Sequence, residues 1–140
     1  GAIGGEEDGV IGGGEVANPA ECKMIADLGV TMLAAGIGNI HGKYPENWPG
    51  LSFDTLAAVQ AKTGEMPLVL HGGSGLSDDD FRSTIRDGIA KVNIFTDLCC
   101  AGADAMARGG DYLAIRRAKV AAIQAAVERK MQLFGSDGKS

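Results

Sequence analysis

Only two histidines occur in this 140-residue sequence, His41 and His71, and they share a local signature. Each closes an apolar segment and precedes glycine, in Ile37-Gly38-Asn39-Ile40-His41-Gly42 and in Leu68-Val69-Leu70-His71-Gly72-Gly73-Ser74-Gly75. Two imidazoles at the ends of consecutive strands can converge on one metal ion, and zinc is the ion that nitrogen donors commonly hold. Two fall short of the three protein ligands a catalytic zinc normally takes, so the remainder must come from elsewhere. Read singly, each histidine is a polar loop residue; the repeated placement favours a shared site. The run Gly72-Gly73-Ser74-Gly75 precedes a capped helix and offers amides and a hydroxyl to an anion near the positive helix end. A plain turn with an N-cap fits the same four residues. Asn93 and Thr96 stand at the end of the next apolar segment, where an adjacent loop would reach the same anion. The acidic stretch Gly4-Gly5-Glu6-Glu7-Asp8-Gly9 reads either as a solvated turn or as a mobile loop whose carboxylate acts as a base.

The elements that must position these residues alternate in type. Asn18 and Pro19 cap and open a helix with Cys22, Ile25 and Ala26 on its apolar side, ended by Gly29. Val30–Ile37 is a continuous apolar run of strand length, buried on both faces. Ser52 caps a helix reaching Thr63, with a Leu56 and Val59 stripe and Gly64 at its end. Pro67–Leu70 reads as a short buried strand. Ser77 and Asp80 form a capping box, with Leu76 and Phe81 placed as a hydrophobic staple and Gly88 as terminator. Lys91–Phe95 reads as a third strand, followed by helices over Asp97–Met106 and Tyr112–Leu133. Short buried strands separated by helices imply an α/β protein with a parallel sheet. An open doubly wound sheet and a (β/α)8 TIM barrel both fit. A whole barrel takes about 250 residues, so three or four strands amount to roughly its second half. On that reading residues 1–140 are one part of a single barrel domain, and the second and third strands correspond to its phosphate-holding seventh and eighth.

Composition narrows the class. The chain is 45% hydrophobic and 22% charged, ordinary for a globular domain. A net charge of −5 gives no electrostatic attraction to nucleic acid or to an anionic membrane. No run of about 18 apolar residues occurs. The odd set Cys22, Cys99 and Cys100, without CxxC spacing, reads as free thiols of a reducing, cytoplasmic compartment. The opening Gly1-Ala2-Ile3-Gly4-Gly5 has neither an initiator Met nor a helix start, and reads as a chain joined partway through a loop.

Taken together, GGEEDG (Gly4–Gly9), IGNIHG (Ile37–Gly42), LHGGSG (Leu70–Gly75) and KVNIFTD (Lys91–Asp97) resemble successive signature blocks of the class II fructose/tagatose-bisphosphate aldolases. The tail Lys130–Ser136 is similar to the C-terminal end of that family, so the resemblance spans essentially the whole chain. LHGGSG followed by KVNIFTD is its specific part. The resemblance implies a Zn2+ held by three histidines, with His41 and His71 as the second and third. It places the first histidine, and the neighbouring Asp that serves proton transfer, in an N-terminal half this sequence lacks. Glu7 matches the mobile-loop base. Gly42, Gly72, Gly73, Ser74, Asn93 and Thr96 match positions around the substrate phosphate and a neighbouring monovalent cation. The chain departs from some relatives at Pro45, where they carry Lys, and at Phe95, where they carry Asp.

The reaction implied is reversible cleavage of a ketose 1,6-bisphosphate, fructose or tagatose, to dihydroxyacetone phosphate and glyceraldehyde 3-phosphate through a zinc-stabilised enediolate. The implied enzyme is a cytoplasmic homo-oligomer acting on small phosphosugars. Two other readings stay open: a catalytically incomplete fragment or phosphosugar-binding module without a full metal site, and a metal-free barrel enzyme with a phosphosugar substrate. Trp48 is expected to pack a loop near the site or at an interface. Arg116 and Arg117 are expected on the surface of the last helix.

Overall fold

The structure is a computed structural model and describes residues 16–42 and 44–139 together with the backbone of Ala2–Ile3. Its elements run β1 (Ala2–Ile3), α1 (Pro19–Ala26), β2 (Leu33–Ala35), α2 (Phe53–Thr63), β3 (Leu68–Leu70), α3 (Asp78–Arg86), β4 (Ile89–Val92), α4 (Thr96–Ala107) and α5 (Tyr112–Phe134). They form two compact units, Gly1–Asn93 and Ile94–Ser140.

The first unit is a four-stranded parallel sheet in the order β1-β2-β3-β4, each strand beside its predecessor. Sequential parallel order with helical crossovers is the local plan of a (β/α) barrel, and this unit supplies a partial α/β sheet of that kind. The helices begin where their chemistry says they should. Asn18 Oδ1 accepts from the Ala20 amide at 2.9 Å, with Pro19 at the first helical position. Ser52 Oγ accepts from the Thr55 amide at 3.3 Å. At α3 the reciprocal capping box is complete: Ser77 Oγ accepts from the Asp80 amide at 3.1 Å, and Asp80 Oδ2 accepts from the Ser77 amide at 3.1 Å. Leu33, Leu56, Val59, Leu68, Leu70 and Phe81 are fully buried and make the core between sheet and helices. All three residues of β3 are buried, as befits a strand covered on both faces.

Two expected strands differ in extent from those observed. The run Val30–Ile37 contributes only Leu33–Ala35, because β3 is three residues long and offers no further ladder. Beyond it, Gly36 O accepts from the Ala17 amide at 2.7 Å and Ile37 forms an isolated antiparallel bridge with Val16. The strand expected at Lys91–Phe95 is Ile89–Val92, shifted toward the N-terminus. A register irregularity opposite Leu68 and Val69 lets Ile89 pair early. Asn93 still donates its amide to Leu70 O at 2.8 Å, so the pairing direction continues just past the strand end.

The second unit is the pair α4 and α5. Gly102 lets them approach: a Cβ there would lie 3.1 Å from Ile123 Cδ1. Asp97, in the first turn of α4, pairs with Lys130 of α5 at 3.4 Å, which gives this residue of the KVNIFTD block a structural partner.

Candidate active site

His71 directly follows β3, and His41 follows β2 through the turn of Gly36–Ile40. Parallel neighbours deliver their C-terminal ends to the same side of the sheet. The two imidazoles lie with ring centroids 5.5 Å apart and planes inclined at 37°. Zinc–nitrogen bonds of about 2.0–2.1 Å in tetrahedral geometry place two ligating imidazole centroids about 5 Å apart. The observed separation therefore fits two donors of one ion. Burial, then the neighbouring His41 and Lys91, hold the His71 imidazole below its ordinary value. That favours the neutral ring, which is the form that binds a metal. Among the described residues no group of three or more His, Cys, Asp or Glu side chains is placed to hold a metal, so the pair is a partial donor set.

Asn93 closes one side. Its Nδ2 lies 3.2 Å from His71 Nε2 and 3.5 Å from Nδ1, while its Oδ1 accepts from Lys91 Nζ. The main chain of the glycine loop is anchored residue by residue. Asn39, only 3% exposed, donates Nδ2 to His71 O at 3.1 Å while its Oδ1 accepts the Ile37 amide at 2.8 Å. Tyr44 donates its hydroxyl to Gly72 O at 2.8 Å, and the Gly73 amide donates to Asn93 O at 3.1 Å. Gly72 sits at φ +65°, and a Cβ there would fall 2.0 Å from Ile40 O, so only glycine lets the two histidine-bearing loops meet. Trp48 donates Nε1 to Gly38 O at 2.8 Å and packs on Tyr44, with centroids 4.2 Å apart. It braces the loop beside the site, one of the two places expected for it.

Of the residues singled out in the sequence, His41, Gly42, His71, Gly72, Gly73, Ser74 and Asn93 belong to the first unit, and the hydrogen bonds above gather His71, Gly72, Gly73 and Asn93. Gly42 follows His41 at φ +93°, and Ser74 is buried within the loop. Thr96 opens α4 in the second unit. Glu7, like the whole acidic loop, lies outside the described residues. The α3 N-terminus carries Asp78, Asp79 and Asp80, whose carboxylates suit the positive end of the helix. The sequence reading missed Asn39 and Tyr44. The available signal was their place beside His41, a buried-type amide in a turn and a polar-tipped aromatic in a Gly- and Pro-flanked loop.

Comparison with known proteins agrees with this geometry. The sequence profile described as "Fructose-bisphosphate aldolase class-II" matches residues 1–139. The fructose-bisphosphate aldolase of Streptococcus pyogenes serotype M1 is 45% identical over an alignment covering all of this chain and 53% of the relative. That of Streptococcus pneumoniae serotype 4 is 43% identical with the same coverage. In structure, a putative fructose-1,6-biphosphate aldolase from Coccidioides immitis superposes with TM-score 0.86 at 30% identity, covering 98% of this chain and 50% of that one. The YdjI aldolase from Escherichia coli K12 gives TM-score 0.81 at 35% identity, covering 89% and 46%. The chain spans about half the length of the curated relatives it matches. A match along essentially its full length, joined to paired imidazoles and a glycine loop at parallel strand ends, makes this chain a member of the class II fructose-bisphosphate aldolase family.

Proposed function

We propose that this chain supplies two metal ligands and the phosphate loop of a zinc-dependent aldolase. Its reaction is the reversible cleavage of a ketose 1,6-bisphosphate to dihydroxyacetone phosphate and glyceraldehyde 3-phosphate. The observation that carries the reading is the 5.5 Å separation of the His41 and His71 ring centroids, close to the about 5 Å expected of two imidazoles on one tetrahedral ion. His41 and His71 would hold the zinc, with a third histidine and an acid–base Asp contributed by residues outside this chain. When bound, the metal supplies Lewis-acid polarisation of the ketose carbonyl.

The chain's own residues do the rest. Gly42, Gly72, Gly73, Ser74, Asn93 and Thr96 take the phosphate and a monovalent cation. The Gly73 amide is engaged by Asn93 O, so Gly73 contributes chiefly its backbone conformation. Asn93 Nδ2 borders the His71 ring on one side, 3.2 Å from Nε2. Glu7 takes the proton beside the carbonyl in the cleavage of the C–C bond read backward, that is, from dihydroxyacetone phosphate. The parallel sheet of the first unit is read as part of a (β/α)8 barrel. The enzyme is read as a cytoplasmic homo-oligomer acting on small phosphosugars. The net charge of −5 supports that choice over nucleic acid, and no described helix is long and apolar enough to cross a membrane.

The partial donor set keeps one alternative in play, a phosphosugar-binding fragment without a full metal site. A single experiment separates them. The chain is assayed for cleavage of fructose and tagatose 1,6-bisphosphates, alone and joined to a segment equivalent to the other half of its relatives. Zinc-dependent cleavage by the joined protein, abolished by a chelator and restored by Zn2+, is the expected result. Phosphosugar binding without cleavage in the joined protein favours the alternative. Cleavage that survives the chelator contradicts the metal assignment.

A further inference from the structure

The Gly72–Gly73 peptide is held from both ends. Its carbonyl accepts the Tyr44 hydroxyl at 2.8 Å, and its N–H donates to Asn93 O at 3.1 Å. A peptide between two glycines rotates more easily than any other, because neither flanking residue has a Cβ to oppose the change in φ and ψ. Asn93 sits on the β4 side of this peptide. On the other side the Tyr44 hydroxyl holds the Gly72 carbonyl. The same ring borders the far end of the loop, where a Cβ on Gly75 would lie 3.3 Å from Tyr44 Cδ2. Tyr44 is itself steadied: its ring packs on Trp48 at a 4.2 Å centroid separation, and Trp48 is tied to Gly38 O at 2.8 Å. The Tyr44 hydroxyl thus ties the His41 loop to the His71 loop, beside the bond from Asn39 Nδ2 to His71 O.

We propose that Tyr44 is a positioning residue for phosphate binding, fixing the Gly72–Gly73 peptide so that the Gly72–Gly75 loop presents a single arrangement of donors. The identity of the ligand as a sugar phosphate rests on the aldolase reading above; the ordering of the loop does not. Burial, opposed by the Ile40 backbone and reinforced by Asp80, pushes the Tyr44 phenol up to about 12, so the donor keeps its proton across the working range.

Tyr44→Phe keeps the ring and removes only the hydroxyl, and it is tested in the complete protein. Hydrogen exchange of the segment spanning Gly72–Leu76 is read alongside inorganic phosphate affinity by calorimetry and steady-state kinetics. Loss of one neutral hydrogen bond predicts exchange about fivefold faster in that segment, with exchange in α2 unchanged. Phosphate Kd and substrate KM rise about fivefold, while kcat and zinc content stay at the wild-type level. Wild-type exchange in the loop overturns the proposal, as does faster exchange with unaltered phosphate Kd, or a wild type that binds no phosphate. A fall in zinc content or in kcat at constant KM overturns it too, since Tyr44 would then act on the metal centre. A wild type whose phosphate binding depends on Tyr44 but which cleaves no bisphosphate keeps this proposal and removes the aldolase reading.

Discussion

Replacing Gly72 with alanine tests whether the approach of the two histidine loops is as tight as the structure has it. Gly72 sits at φ +65°, where a side chain costs about 1 kcal/mol. Its Cβ would also fall 2.0 Å from Ile40 O and 2.8 Å from Ile40 C. These are backbone atoms of the residue before His41, so no rotamer change relieves the overlap. The loops must separate by more than an ångström, a repacking cost of about 2 kcal/mol. The total is about 3 kcal/mol. Gly42 is the internal control: its φ is +93° but a Cβ there meets nothing within 4 Å among the described residues, so Gly42→Ala carries backbone strain alone, about 1 kcal/mol. Urea unfolding of both variants reads the difference, about 2 kcal/mol, as a midpoint about 1 M lower for Gly72→Ala. Because the displaced residue adjoins His41, zinc affinity falls about tenfold or more in the same variant. Equal midpoints for the two variants would refute the reasoning, for the clash at Ile40 would then have no energetic consequence.

Asn39→Ala removes both bonds of a buried amide and leaves the Ile37 amide and His71 carbonyl without it, so a loss of about 2–3 kcal/mol is expected in denaturant unfolding. A loss below about 0.5 kcal/mol would show that water replaces the amide at no cost. The His71 imidazole gives a pH dependence of stability in the metal-free protein. Its folded value lies below the ordinary 6.5, so between the two values the unfolded chain binds more protons. Stability therefore falls as pH drops through 6.5 toward the lower folded value, and His71→Gln flattens that slope. Identical slopes in wild type and variant would assign the dependence to other groups.

Much of the local structure could be read from residue types. Asn18, Ser52 and Ser77 mark helix starts because a short polar side chain there meets an amide the helix leaves unpaired. Strand extent was less legible. The apolar run Val30–Ile37 has the composition of a longer strand, but ladder length is decided by the partner, and β3 ends at Leu70. The placement of His41 and His71 was legible because a polar residue after an apolar run, followed by glycine, marks the end of a buried strand. The roles of Asn39 and Tyr44 were not. Both act on main-chain carbonyls of a loop distant in sequence, and no pattern along the chain announces which carbonyl will need a donor. Asp97 shows the converse: a residue inside a recognisable block takes its partner from α5, through Lys130.

The most direct test of the central claim is a double-mutant cycle on metal affinity. Zn2+ binding to the complete protein, followed by competition and by the absorption of a Co2+ substitute, is measured for His41→Ala, His71→Ala and the double variant. Shared ligation predicts that each single substitution weakens binding strongly and that the double variant loses far less than the sum, because one missing imidazole already breaks the site. Additive losses, or wild-type affinity in either single variant, would contradict a common ion between the two rings.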